Sequence, residues 1–343
     1  MKTRLTLTII AVLTLLLTLS MTHITAATSS SSQASWWDES WNYSVPYTLY
    51  SGDYNRIDVP IELTLDFTNL LTRFDASGTF DNNSVRVIEY TTTGKVSWEV
   101  PSQFDKAPDY NSTSNAIGTV TWIMNGTTPA GTTRTYHIYF DTMENGPKPP
   151  PNYTGVSSRT SGDYINIQNE RINATIRYKN GVYLASLGFD RNSNSIFEPD
   201  EEMIDSSTPY TLFVRVTDAE ALKHNWGDPG FAYSNDENAT VTMLRNGPVV
   251  QEIRLSNVSL KNRHKEALNI DVELVFKIYK LNTGPYIKTI LTMNEELEIS
   301  YAYERIFLDN KALYDTWYID ETYNGNFSYK VDYRWFFSGV PTY

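Results

Sequence analysis

Short runs of alternating apolar and polar residues recur along most of the chain. One covers residues 133–140, and a longer one runs through residues 270–278. A period of two puts every second side chain on the same face of a β-strand, and turn residues separate the runs. The pattern predicts an all-β protein of two sandwich or barrel domains, with a helical turn only near residues 66–73.

Proline divides this pattern into two halves. The stretch from Asn145 to Gly155 holds four prolines, which favour an extended and stiff spacer. Beyond it, Asn180-Gly181 separates two strand-like runs and suits the two-residue turn of a hairpin. The predicted organisation is a signal peptide at 1–27, a polar spacer at 28–35, an N-terminal β-domain at 36–144, a proline-rich linker at 145–157 and a C-terminal β-sandwich domain at 158–343.

The start of the chain has the features of a secretory signal. Lys2 and Arg4 precede an apolar run at residues 5–19, and small residues near Ala27 provide a cleavage site. Acceptor sequences for N-linked glycosylation follow at Asn42, Asn82, Asn111, Asn125, Asn152, Asn173, Asn238, Asn257 and Asn326. We therefore expect an exported glycoprotein that is secreted or associated with the cell surface.

Composition narrows the range of partners. The formal net charge is −12, which argues against nucleic acid because phosphate binding needs clustered lysine and arginine. The absence of cysteine excludes disulfides, thiolate zinc sites and cysteine nucleophiles. Aromatic residues make up 13% of the chain, so substantial apolar cores can form. Neutral glycans and metal ions are compatible with this excess of acidic residues.

Residues 188–202 carry the clearest candidate chemistry. Oxygen-bearing groups stand at positions 1, 3, 5, 7, 9 and 12 of an EF-hand-like calcium loop: Asp190, Asn192, Asn194, the Ile196 carbonyl, Glu198 and Glu201. Ser195 departs from the motif at position 6, where glycine normally makes the sharp turn. Strand-like runs flank the segment, so we expect Ca²⁺ in a loop that joins two β-strands. The alternative is an acidic, asparagine-rich turn that binds no metal.

A second candidate lies in residues 224–233. His224, Trp226 and Tyr233 combine flat rings with polar groups, and this combination suits a sugar, so we assign glycan binding to these three residues. His224 and Asp228 are the candidates for acid–base catalysis. The alternative is a packed loop anchored by Trp226.

Three tryptophans stand immediately before the first predicted strand: Trp36, Trp37 and Trp41. Exposed aromatic rings beside carboxylates can stack on sugars. We favour the other interpretation, an N-terminal plug that packs on its own domain. His137, which lies within a predicted strand, is likewise interpreted as structural.

Several stretches resemble known glycan-active proteins. The first half is similar to an accessory β-domain of secreted exo-rhamnogalacturonan-lyase-like proteins, on the stretches 58–65, 83–87, 99–104 and 130–140. The second half resembles the galactose-mutarotase-like supersandwich of such lyases and of the C-terminal part of α-mannosidases, on the stretches 167–173, 181–187 and 246–253. The resemblance implies a carbohydrate context and a supersandwich-like second domain, and it carries over no catalytic residue.

These observations predict a calcium-binding β-sandwich protein that binds or helps to process extracellular polysaccharide. If the protein is part of an enzyme, the resemblance implies a module associated with a polysaccharide lyase or a glycosidase. The alternative is a structural cell-surface protein without catalysis, associated with a surface layer or a filament. Tyrosine richness, glycosylation sites and calcium fit both.

Overall fold

The computed structural model describes residues 35–198, 201–204, 210–211, 214–215, 231–232, 238–261, 267–281 and 284–294. The predicted signal peptide at 1–27 lies outside these residues. Over the described ranges the protein is all-β, as the alternating pattern predicts, and every strand pairing is antiparallel. No helix among the described residues is long and apolar enough to cross a membrane.

The first half contains two sheets packed face to face. One has the strand order β1-β7-β3-β4 and the other β2-β6-β5, and a shared core that includes Trp122, Tyr136 and Ile138 separates them. The elements are β1 (Tyr43–Tyr50), β2 (Arg56–Asp66), α1 (Phe67–Arg73), a 3₁₀-helix (Asn82–Ser84), β3 (Arg86–Tyr90), β4 (Val96–Val100), β5 (Ser102–Lys106), β6 (Ile117–Thr128), β7 (Thr133–Phe140) and a second 3₁₀-helix (Met143–Asn145).

Helix α1 lies where the sequence predicts a helical turn. The carboxylate of Asp66 accepts a hydrogen bond from the backbone N–H of Asn69 over 3.0 Å, which satisfies one of the free donors at the start of the helix. Phe67 and Leu71 are buried, so one face of this short helix closes the core of the sandwich.

The second half contains a larger pair of sheets. The first has the order β12-β11-β10-β9-β8 with β13 paired to β11, and the second has the order β16-β17-β18-β19. The strands are β8 (Ser157–Ser161), β9 (Tyr164–Gln168), β10 (Ile172–Arg177), β11 (Tyr183–Phe189), β12 (Glu202–Ile204), β13 (Tyr210–Thr211), β14 (Val214–Arg215), β15 (Phe231–Ala232), β16 (Thr240–Asn246), β17 (Val250–Lys261), β18 (Ala267–Tyr279) and β19 (Tyr286–Met293).

Alternation within the strands places the core of this half between its two large sheets. Ile172, Ala174 and Ile176 of β10 are buried against residues of β17 and β18, while the side chains between them lie on the outer face. The predicted hairpin between β10 and β11 is confirmed, but its turn is longer than the predicted two residues. Arg177 pairs with Tyr183, so residues 178–182 connect the strands, with positive φ at Asn180 (53°) and Gly181 (120°).

The tryptophan cluster packs on the outer face of sheet β1-β7-β3-β4. Trp41 is 7% exposed and its indole N–H donates to the Ser84 carbonyl over 2.6 Å. The rings of Trp37 and Trp41 lie 4.9 Å apart, and Trp36 is 47% exposed at the edge of the cluster. The plug interpretation is therefore confirmed for Trp41, which covers one side of the sheet.

His137 lies on the same outer face of this sheet. Its Nδ1 is 3.1 Å from the hydroxyl oxygen of Ser44, and its ring lies 4.2 Å from that of Tyr90. Removal from water disfavours the imidazolium, so burial lowers the pKa of His137 from its ordinary value of 6.5.

We expect His137 to make the fold less stable in mild acid. Below pH about 6.5 the unfolded chain binds a proton at this position, whereas the folded imidazole stays neutral until the pH reaches its lower pKa. The free energy of unfolding should therefore fall as pH drops through this window. Urea unfolding of the wild type and of His137→Gln at several pH values measures the effect, and the variant should lose less stability. The same slope in both proteins would contradict this role.

Residues 146–156 of the proline-rich segment form no helix or strand, but the segment is not a free spacer. The backbone N–H of Lys148 donates to Asp81 over 2.7 Å, and the Lys148 ammonium lies 3.1 Å from the buried carboxylate of Asp141. Farther along, Val156 is buried and donates its N–H to the Pro248 carbonyl over 2.9 Å. The segment is thus bonded to both halves of the chain.

The side chain of Gln103 joins the two halves directly. Its amide oxygen accepts the backbone N–H groups of Val249 (3.1 Å) and Val250 (2.9 Å), so it satisfies two donors as a neighbouring strand would. Gly247 lies against this amide, and a Cβ added there would lie 2.3 Å from the Gln103 side chain. A side chain at position 247 would therefore push the Gln103 amide out of this position.

A network of charges surrounds this contact. Arg245 of β16 donates from its Nε to Asp105 over 2.7 Å and from its Nη1 to Glu62, both in the first half. Lys277 lies 3.5 Å from Glu62 and 3.3 Å from Glu252. Burial opposes the charge of Arg245, but Asp105 and Glu62 raise its pKa above the ordinary value, so the guanidinium stays charged at the interface.

Candidate metal loop and adjoining pocket

The candidate calcium loop connects β11 to β12. Leu187 pairs with Ile204 and Gly188 pairs with Glu202, so the loop starts and finishes at the same end of two neighbouring strands. Both flanks are strands, as the sequence predicts. The loop is therefore anchored at both ends by backbone hydrogen bonds, unlike the helix-flanked loop of an EF-hand.

The backbone of the loop bends in two left-handed positions. Ser193 has φ 60° and Ser195 has φ 64°, a conformation that non-glycine residues seldom adopt. The Asp190 carboxylate accepts the N–H of Ser195 over 2.7 Å and that of Asn194 over 3.1 Å, which holds the bend. Serine thus makes the turn that the calcium motif usually assigns to glycine.

Two asparagines continue the turn. The side-chain oxygen of Asn192 accepts the N–H of Asn194 over 3.0 Å, and that of Asn194 accepts the N–H of Ile196 over 2.7 Å. Short amide side chains favour such local turns because the side-chain oxygen reaches a backbone donor two residues further on. The Ile196 side chain is a hydrocarbon, so the backbone carbonyl is the group of this residue that could bind a cation.

Glu201 closes the loop from its far end. It is 3% exposed, and its carboxylate accepts N–H groups of Arg191 (2.8 Å), Asn192 (3.3 Å) and Glu198 (3.3 Å). Burial works against ionisation, but hydrogen bonds from Glu198, Arg191 and Asn192 keep the pKa of Glu201 below its ordinary value. The carboxylate is therefore ionised and held inside the loop.

The donor set suits a hard cation. Calcium takes six to eight oxygen ligands from carboxylates, amides and backbone carbonyls, and the loop carries all three types. Within the described ranges, no three His, Cys, Asp or Glu side chains are grouped closely enough to hold a metal. Calcium binding would therefore depend on the amide and carbonyl oxygens as well as on the carboxylates.

A cavity of about 150 Å³ lies between this loop and the sheet. It is lined by one aromatic ring, one bare glycine, one hydroxyl, one amide and two carboxylates: Phe197, Gly188, Ser186, Asn173, Glu198 and Glu202. Phe197 and Glu198 belong to the loop and the other four to strands β10, β11 and β12. The loop therefore forms one wall of the cavity and the sheet forms its floor.

The structure brings together some of the predicted site residues. Asp190, Asn192, Asn194, Ile196, Glu198 and Glu201 all lie in one loop, while His224, Trp226, Asp228 and Tyr233 lie outside the described residues. Sequence reasoning did not single out the cavity. Its outward polar positions could be read from the alternation in β10, but the position of Phe197 over the strands could not.

Comparisons of the sequence with known proteins do not assign this chain to a family. No known family matches the sequence, and no curated protein matches it. Among solved structures, a glycosyl hydrolase family 38 protein from Enterococcus faecalis superposes with a TM-score of 0.45 at 12% identity, over 78% of this chain and 33% of that one. An α-mannosidase from Enterococcus faecalis V583 gives a TM-score of 0.38 at 12% identity, over 74% and 30%. This chain spans about a third of the length of either protein.

Proposed function

We propose that this protein is a secreted, glycosylated, calcium-binding β-sandwich protein that binds extracellular polysaccharide. One observation carries the calcium part: residues 190–201 hold oxygen donors at EF-hand spacing on a backbone already bent at Ser193 and Ser195. Calcium would join Asp190, beside β11, to Glu201, beside β12. It would thereby hold the two ends of the loop together.

Electrostatics support a cation in this loop. Residues 190–201 contain four acidic residues, Asp190, Glu198, Asp200 and Glu201, and Arg191 is the one basic residue among them. Like charges at short range repel, and a bound divalent cation converts that repulsion into attraction. The loop should therefore be more stable with calcium than without it.

The positions of the glycosylation sequences support export. Among the described residues, the asparagines at 42, 111, 125, 152, 238 and 257 have exposed side chains, which a glycosylating enzyme can reach. Asn82 and Asn173 are half-buried, and we expect both to stay unglycosylated, so that Asn173 keeps its side-chain amide. The exposed positions lie in both halves of the chain, so glycans would cover a large part of the surface.

The calcium proposal predicts a stability change that depends on Glu201. Calcium at about a hundred times its dissociation constant stabilises a folded protein by roughly 2.7 kcal/mol, provided that it does not bind the unfolded chain. Adding calcium to chelator-treated protein should raise the melting temperature, and Glu201→Gln should remove most of that rise. Calorimetric titration and thermal unfolding measure the two effects.

The matched control is Glu170→Gln, the same substitution at an exposed position outside the loop. This variant should keep the full response to calcium. No heat on titration and no change in melting temperature would reject calcium binding. An equal loss of response in both variants would show that Glu201 has no special role.

A further inference from the structure

We propose that the outer face of strands β9, β10 and β11 binds a neutral polysaccharide, with one sugar ring in the cavity beside Phe197. We call this surface the amide face and define it by Asn166, Gln168, Asn173, Thr175 and Ser186. The inference rests on the proposed function and locates its sugar site. The amide face contains none of the residues in the segment 224–233, to which the sequence analysis assigns glycan binding.

Strand register places these side chains together. Asn166 pairs with Thr175, which pairs with Ser186, and Gln168 pairs with Asn173, which pairs with Gly188. Residues directly opposite in antiparallel strands share a face of the sheet. Two neighbouring rows of amides and hydroxyls therefore lie on the side of the sheet away from its apolar core.

Hydrogen bonds orient two of the amides on this face, those of Asn166 and Asn173. The side-chain nitrogen of Asn166 donates to the Asn173 oxygen over 2.5 Å and to the Thr175 hydroxyl over 3.2 Å. This uses both protons of the Asn166 amide, so its oxygen remains as an acceptor and the Asn173 nitrogen remains as a donor. A donor and an acceptor side by side can bond two neighbouring hydroxyls of one sugar ring.

Phe197 supplies the apolar contact that a sugar ring needs. Gly188 lies opposite Asn173 and has no side chain, so the ring of Phe197 approaches the strand, with its Cδ1 3.6 Å from where a Cβ on Gly188 would be. The cavity of about 150 Å³ beside it is lined by one ring and several polar groups. Binding sites combine an apolar surface with a few polar groups that fix the orientation of the ligand.

The charge of the cavity selects among glycans. Glu198 and Glu202 line it, and none of its described lining residues is lysine or arginine. Carboxylates accept hydrogen bonds from sugar hydroxyls but repel uronate or phosphate groups, so an anionic polysaccharide is disfavoured. The ligand class that fits is a chain of neutral sugars.

The test is binding of soluble polysaccharides to the full chain in calcium. Neutral mannan and β-glucan fragments are the probes, and polygalacturonate is the anionic comparison. We expect one of the neutral probes to bind and Phe197→Ala to weaken it by at least about tenfold in Kd, a loss of about 1.4 kcal/mol. Tyr54→Ala, which removes an exposed aromatic ring from the first half of the chain, should change the Kd by less than about twofold.

The outcomes separate this inference from the calcium proposal. Both variants keep Glu201, so both should retain the rise in melting temperature with calcium. A calcium response without binding of any neutral probe overturns the amide face alone. Equal binding of polygalacturonate, or equal effects of Phe197→Ala and Tyr54→Ala, also overturns it. Sugar binding without any calcium response would overturn the calcium proposal and leave the amide face in place.

Discussion

Arg245→Ala should be among the most destabilising single changes in this protein. It removes the guanidinium that lies between Asp105 and Glu62, and it leaves both carboxylates at the interface without their main cation. Breaking a buried ion pair by removing one partner costs about 3–5 kcal/mol. Because these side chains are 10% to 33% exposed, we expect a loss of about 2–3 kcal/mol. Denaturant unfolding monitored by tryptophan fluorescence measures it.

The control is Arg159→Ala, at an exposed arginine of β8. This change should cost less than about 0.5 kcal/mol because it removes no buried contact. Arg245→Ala should also make the two halves unfold in separate steps, since Arg245 links them. A loss no larger than that of the control would show that the network does not hold the halves together.

Trp41→Ala should have the second large effect. Trp41 is buried, bonds to Ser84, and lies under the Arg86 guanidinium, which is 5.5 Å from its ring. Replacing a buried tryptophan by alanine costs about 3–5 kcal/mol, because it removes apolar contact and leaves a cavity. The expected result is a large fall in the midpoint of thermal or denaturant unfolding.

Trp36→Ala provides the matched comparison within the same cluster. Trp36 is 47% exposed, so its replacement should cost less than half as much as that of Trp41. If Trp36→Ala instead leaves stability unchanged and abolishes polysaccharide binding, the edge of the plug is a stacking site for sugars. Equal destabilisation by the two variants would mean that the exposed fraction of each tryptophan does not determine how much it contributes to stability.

The calcium loop begins at the end of β11, which is also one of the three strands of the amide face. Phe197 and Glu198 form the wall of the cavity and lie within the loop that calcium would order. A cation that fixes the loop would also fix the cavity. Calcium binding would thus be coupled to sugar binding by the short chain segment between Asp190 and Glu201.

The features that sequence predicted depend on neighbours along the chain. Asp66 caps α1 through a bond to a residue three positions away, and Asn180-Gly181 sets its own turn. The spacing of residues 190–201 is local in the same sense, which is why the candidate ligands could be named. The alternation at residues 172–176 likewise predicted which side chains face the core, because successive side chains of a strand point to opposite faces of the sheet.

Tertiary structure decided everything that depends on distant residues meeting. Arg245 and Glu62 are 183 positions apart, and no pattern in either segment marks them as partners. The same holds for the linker. Its prolines predict an extended chain, but they do not predict its hydrogen bonds to Asp81 and Pro248. Phe197 and Asn173 line the same cavity because β10 pairs with β11 and because the loop bends at Ser193 and Ser195. The composition of these segments does not predict that these two features bring the residues together. Local interactions fixed the strands, turns and candidate ligands, whereas packing of distant segments created the interface and the cavity.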